Sequence, residues 1–204
     1  MHRTLAVVLI ACAGSALAAP QDDFHAGETA YRAGDVTGAM PLLRRAAEAG
    51  HAPAQALYGH ILDVSEFNEE ASRYYRRAAE QGNADGQFGL AALYAAGEGV
   101  EPDAGAARQW FERAAAQGHA HAINALARAF LARDLGFTPE PPEEAGLAWV
   151  RKAADQGYYP ALDYLAKGLR SGSFGVVDIA QAERLEARMH ALGAPPPRKR
   201  SRPK

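Results

Sequence analysis

Cysteine is almost missing from this chain of 204 residues: the single one, Cys12, lies in an apolar run near the N-terminus. That excludes a disulfide framework or a cysteine-ligated metal site. The seven histidines supply no substitute. His119-Ala120-His121 brings two imidazoles together at a helix start, but no third ligand is spaced nearby and no His-Glu-x-x-His occurs. There is no P-loop and no Gly-x-Ser-x-Gly turn. Glu69-Glu70 and Glu143-Glu144 are adjacent pairs at helix openings. There they oppose the positive end of the helix dipole, whereas a hydrolytic pair must face itself across a cleft. The sequence therefore carries no catalytic, metal or cofactor-binding residues, and no cofactor is expected.

A basic surplus is also missing. Residues 1–18 hold one basic group and residues 194–204 hold five, so the body keeps 16 Lys+Arg of 22 against 24 Asp+Glu, a charge of −8. An acidic body excludes nucleic acid as the main ligand, because phosphate binding needs a positive surface. Long apolar runs are lacking as well. Leu5–Ala13 is too short to span a membrane as a helix and, following Arg3, reads as the core of a secretory signal peptide covering residues 1–18. Ala16-Leu17-Ala18 is the small-x-small cleavage site, which predicts a periplasmic or secreted protein beginning near Ala19. The competing reading takes Leu9-Ile10-Ala11-Cys12 as a lipobox, with Cys12 lipidated. Cleavage after Ala18 would leave no cysteine, and stability would rest on packing alone.

What the sequence has in plenty is alanine and leucine, with few β-branched residues, which favours helix over strand. It also repeats itself. Ala46-Ala47-Glu48-Ala49-Gly50 returns as Ala78-Ala79-Glu80-Gln81-Gly82, as Ala114-Ala115-Ala116-Gln117-Gly118 and as Ala153-Ala154-Asp155-Gln156-Gly157. The four glycines are 32, 36 and 39 residues apart, and Gly193 follows after another 36. Four positions beyond each stands a small residue: Ala54, Gly86, Ala122 and Ala161. A period in this range marks a stacked array of supersecondary units.

Taken in order, residues 19–23 read as a short extended lead-in to a first helix over Asp23–Ala33. Gly34 ends it, and Asp35 is placed to cap the next helix, as Asp103 and Asp178 are later. Each second helix carries a bulky pair before its alanines: Leu42/Leu43, Tyr74/Tyr75, Trp110/Phe111 and Trp149/Val150. Each first helix repeats inward positions such as Leu90/Ala91/Tyr94 and Leu126/Ala127/Phe130. A unit alone would expose these faces, so its neighbours must cover them. The expected organisation is a solenoid over 19–193 in five helix pairs (about 23–50, 51–82, 83–118, 119–157 and 158–193). A proline-rich insertion at Gly136–Pro142 interrupts the fourth pair. The Pro195–Pro197 and basic tail, 194–204, is expected to be disordered.

The A-A-x-x-G phrase, the small residue four positions on and the Gly97-Glu98-Gly99-Val100 loop resemble the Sel1-like repeat family, relatives of the tetratricopeptide repeats. The second unit lacks the G-x-G-V loop, and the fourth replaces it with the proline-rich insertion. The resemblance implies an all-α, right-handed solenoid that acts as a non-enzymatic adaptor for a protein partner, an envelope assembly component or an effector. An immunity-type protein that neutralises a toxic effector is the alternative, and a cell-wall or β-lactam hydrolase on the same fold is the rival class. Helical periodicity turns the tenth and thirteenth positions after each glycine away from the core, the thirteenth adding Asp63 and Arg170, and the sixth row is taken with them. These rows name His60, Phe88, Asn124, Arg128, Asp163 and Lys167 as the partner-binding wall. Arg128 and Lys167 are read as a cationic strip and Phe88 as an apolar anchor. The tail offers a weak contact with anionic membrane or polysaccharide.

Overall fold

A computed structural model describes residues 19–137 and 144–193. The expected leader with Cys12, most of the proline-rich insertion and the tail 194–204 lie outside the described residues. Among the described residues there are ten helices and no strand. They are α1 (Pro20–Arg32), α2 (Val36–Glu48), α3 (Ala52–Val64), α4 (Asn68–Glu80), α5 (Ala84–Ala96), α6 (Ala104–Ala116), α7 (Ala120–Ala132), α8 (Glu144–Asp155), α9 (Tyr159–Ser171) and α10 (Ile179–Ala191). They pack as consecutive antiparallel pairs, each stacked on the next, in an α-solenoid.

The repeated phrase is a helix stop fused to a helix start. Gly50, Gly82, Gly118 and Gly157 have φ of +91°, +84°, +84° and +85°, a left-handed conformation that glycine adopts without strain. In the first copy the Gly50 N–H donates to the Ala47 carbonyl and the His51 N–H to the Ala46 carbonyl, both at 3.1 Å. The later copies repeat both bonds, so each of the two alanines supplies one terminal carbonyl of a Schellman motif. The residue after the glycine then serves at once as the N-cap of the next helix: His51, Asn83, His119 and Tyr158. No residue is left for a flexible linker. Ala46, Ala78, Ala114 and Ala153 are fully buried. At the second junction a Cβ on Gly86 would come within 2.5 Å of the Ala78 Cβ, so the two helices meet there almost backbone to backbone.

The bulky pairs divide their labour. Leu43, Tyr75, Phe111 and Val150 enter the core, while Leu42, Tyr74, Trp110 and Trp149 are half-buried on the outer side. A cation three residues on covers each outer aromatic: Arg77 over Tyr74, Arg113 over Trp110 and Lys152 over Trp149. Asp35, Asp103 and Asp178 do cap α2, α6 and α10, accepting from backbone N–H groups at 2.8, 2.9 and 2.8 Å. Buried Gln55 and Gln87 each donate to an alanine carbonyl of the preceding phrase, Ala47 and Ala79. Each also accepts from the glutamine of the next phrase, Gln81 and Gln117, at 2.7 and 2.8 Å. These glutamines tie three successive units together, and Ile123 and Leu162 hold the equivalent places in the last two.

The lead-in is corrected. Residues 20–23 are already helical, because Pro20 sits in the first turn, where its missing N–H costs nothing. Asp23 is buried and bonded by both oxygens to the Arg45 guanidinium, which holds its carboxyl below the usual range. Substituting Gly118→Ala meets no neighbouring atom within 4 Å, so its cost is purely the left-handed backbone. The expected loss is about 1–2 kcal/mol, read as a lower urea midpoint with an unchanged m-value.

Candidate partner-binding groove

The odd-numbered helices form the inner wall of the solenoid. α1 touches α3, α3 touches α5 and α7 touches α9, whereas no even-numbered helix packs comparably against the next even one. Helices at the smaller radius of a curved stack approach one another most closely, so this wall is the concave side. Between α5 and α7 a groove of about 750 Å³ opens. Its floor is alanine, Ala92, Ala95 and Ala96 from α5 facing Ala125, Ala129 and Ala132 from α7. Methyl groups leave the space unfilled. Phe88, His121, Asn124, Arg128 and Tyr158 stand at its edges.

A second cavity of about 460 Å³ lies on the other side of α5, against α1 and α3. Phe24, Leu57 and His60 line it, and Phe88, Ala92 and His121 belong to both cavities. The two are therefore one groove crossing α5. Tyr75 reaches it from α4 by passing between α3 and α5. Gly59 and Gly89 make room for its ring, and a Cβ on Gly89 would lie 2.4 Å from it. Its hydroxyl donates to Asp63 Oδ2 at 3.3 Å, while burial and the Asp63 charge push the phenol well above its ordinary pKa.

Of the sequence-predicted residues, His60, Phe88, Asn124 and Arg128 line this groove. Asn124 Oδ1 is buried there without a hydrogen-bond partner among the described residues. Arg128 is exposed and makes no ion pair among them. Asp163 and Lys167 are not brought to it. They bond to each other at 2.6 Å, and Lys167 lines a separate cavity with Tyr164 and Phe174. Arg170, at the thirteenth position after Gly157, is held by both oxygens of Glu186 at 2.8 Å. The cationic strip therefore reduces to Arg128. Lys167 is instead paired because a spacing of four residues is about one helical turn, which sets the lysine directly against the aspartate.

Sequence reasoning missed the joints at the groove's edge. His51 and His119 cap their helices through Nδ1, which accepts from Ala54 N–H at 3.2 Å and Ala122 N–H at 3.1 Å. The same rings pack on the preceding unit's phenylalanine, tilted for Phe24–His51 at 4.7 Å and stacked for Phe88–His119 at 4.8 Å. Their Nε2 atoms bond to Gln21 at 2.8 Å and Asp85 at 3.1 Å. The signal was present as histidine directly after the repeat glycine, with phenylalanine 27 or 31 residues before it. An accepting Nδ1 requires a neutral ring. Burial, with the nearby His25, lowers the His51 pKa, so the fold favours the neutral form. That stabilisation is complete above the unfolded value near 6.5 and is lost as pH falls below it. His51→Asn keeps a capping oxygen, as Asn83 does naturally at 2.8 Å. Its thermal stability should fall less than the wild type's between pH 7 and 5, by about 1 kcal/mol, the worth of one cap. Identical pH profiles would contradict the neutral-ring cap.

Comparison with known proteins follows the same lines. The family model described as the Sel1 repeat matches residues 32–51, 52–83, 84–119 and 120–158, more than half of the chain. Among solved structures, the chain is similar to a Sel1 repeat protein from Oxalobacter formigenes, with 26% identity and a TM-score of 0.71. The match covers 84% of this chain and 69% of that one. It is also similar in fold to c5321, a protective antigen of uropathogenic Escherichia coli, with 22% identity and a TM-score of 0.53. That match covers 85% of this chain and 46% of the other. Comparison with curated proteins found no match.

Proposed function

The chain belongs to the Sel1 repeat family, and from that premise we propose that it is a non-enzymatic scaffold of the bacterial periplasm or the secreted space. In this reading it holds a segment of a protein partner in the groove that crosses α5. Sel1 repeat arrays serve generally as protein–protein interaction scaffolds, and extended concave surfaces are what such solenoids offer. One observation carries the reading. The groove between α5 and α7 holds a cation with no ion pair, Arg128, and a buried amide oxygen with no donor, Asn124 Oδ1, among the described residues. Phe88, standing where both halves of the groove meet, is the apolar anchor. The secretory address rests on the Arg3, Leu5–Ala13 and Ala16-Leu17-Ala18 pattern. The five basic groups of residues 198–204 suit a weak contact with anionic membrane or polysaccharide.

Affinity capture of the mature chain from native periplasmic and membrane extract tests this reading. A stoichiometric protein partner is expected. Its recovery should fall at least about tenfold with Phe88→Ala or Arg128→Glu, the scale of one well-placed contact. Lys167→Glu, at a residue outside the groove, should leave it unchanged. Equal recovery by all four proteins, or recovery of no protein, would overturn the groove assignment.

A further inference from the structure

The α1–α3–α5 half of the groove differs in charge from the α5–α7 half, which holds one guanidinium, Arg128, and one carboxylate, Asp134. Three carboxylates line it, Glu28, Asp63 and Asp85, and no lysine or arginine does. Glu28 is engaged by Arg32 at 2.8 Å. Asp63 accepts the Tyr75 hydroxyl and has no cation within ion-pair distance among the described residues. Asp85 is 77% exposed at its side chain and is bonded by His119 Nε2. That histidine also caps α7, its Nδ1 accepting from the Ala122 N–H at 3.1 Å. Beside these acids stand Phe24, Leu57 and Phe88. The combination of an apolar wall with carboxylates beyond it matches a side chain with a hydrocarbon stem and a cationic head.

We infer that this half-groove is a subsite for a lysine or arginine side chain of the partner, resting on the reading of the groove as a protein-binding surface. The occupant is an extended polypeptide segment of another protein. Its basic residue lies between Asp63 and Asp85, its apolar residues on Leu57 and Phe88, and its acidic residue or carboxylate at Arg128. Charge complementarity selects it. Three carboxylates without a lysine or arginine line one end of the groove, and at the other Arg128 stands with a single carboxylate, Asp134, and no ion pair among the described residues; this favours a segment of matching polarity and penalises its reverse. Tyr75 fixes the arrangement from behind. It is clasped between the glycines of α3 and α5 and orients the Asp63 carboxylate toward the groove.

Position-scanning libraries of synthetic dodecapeptides, presented to the full chain, would test the subsite. The wild-type protein should enrich lysine or arginine at one position. Asp63→Asn combined with Asp85→Asn should abolish that enrichment and weaken the best basic peptide about tenfold, about 1.4 kcal/mol. Asparagine at 63 can still accept from Tyr75, and a thermal melt checks that the double variant remains folded. Peptides that bind without basic enrichment, or with enrichment that survives the double variant, would overturn the subsite while leaving the groove reading intact. Failure of the wild type to bind any peptide would sink both. Enrichment that emerges only after removal of residues 194–204 would show that the chain's own basic segment is the occupant, which overturns the assignment to a foreign partner.

Discussion

Everything in this molecule depends on the junction where one helix pair hands over to the next. A Schellman stop and an N-cap share consecutive residues there, Gly50 with His51 and Gly118 with His119, so the direction of each new helix is fixed by the end of the last. The two alanines before the glycine are buried and supply the carbonyls that the stop requires. Larger side chains would hold the following helix away, and the small residue four positions on would lose its contact. Backbone hydrogen bonds and close helix approach are thus satisfied by the same five residues. With no cysteine among the described residues, that economy stands in for covalent bracing.

The junction explains why the array was legible and the site less so. The phrase recurs because its geometry permits few other residues, and five helix pairs could be laid out from the glycines. Helix starts with proline were harder to read. Residues 19–23 read as an extended lead-in, yet Pro20 opens the first turn of α1 and Asp23 is buried against Arg45. The outward rows of the first helices were also readable, since helical period alone places His60, Phe88, Asn124 and Arg128. What period cannot supply is the state of each charge. Lys167 and Arg128 occupy the same register, yet an aspartate one turn earlier neutralises the first while Asn124, in that place, leaves the second free. Acids from three different helices gather in the other half-groove, and no local pattern in the sequence announces such a meeting.

The unequal spacing of the inner helices gives the solenoid its functional asymmetry. α3 and α5 clasp Tyr75, whereas α5 and α7 present alanine to alanine and leave a groove. The Phe24–His51 and Phe88–His119 ring contacts brace alternate junctions beside that surface. A rigid inner wall with built-in charge polarity can select a segment without ordering itself first, which lowers the entropic cost of binding.

The most direct test of the account is hydrogen–deuterium exchange of the chain with and without its captured partner. The account predicts protection concentrated in α5 and α7, with α3 following, while α4, α6 and α8 on the outer side exchange as before. Protection confined to the even-numbered helices, or to α9 and α10 at the far end of the array, would contradict it.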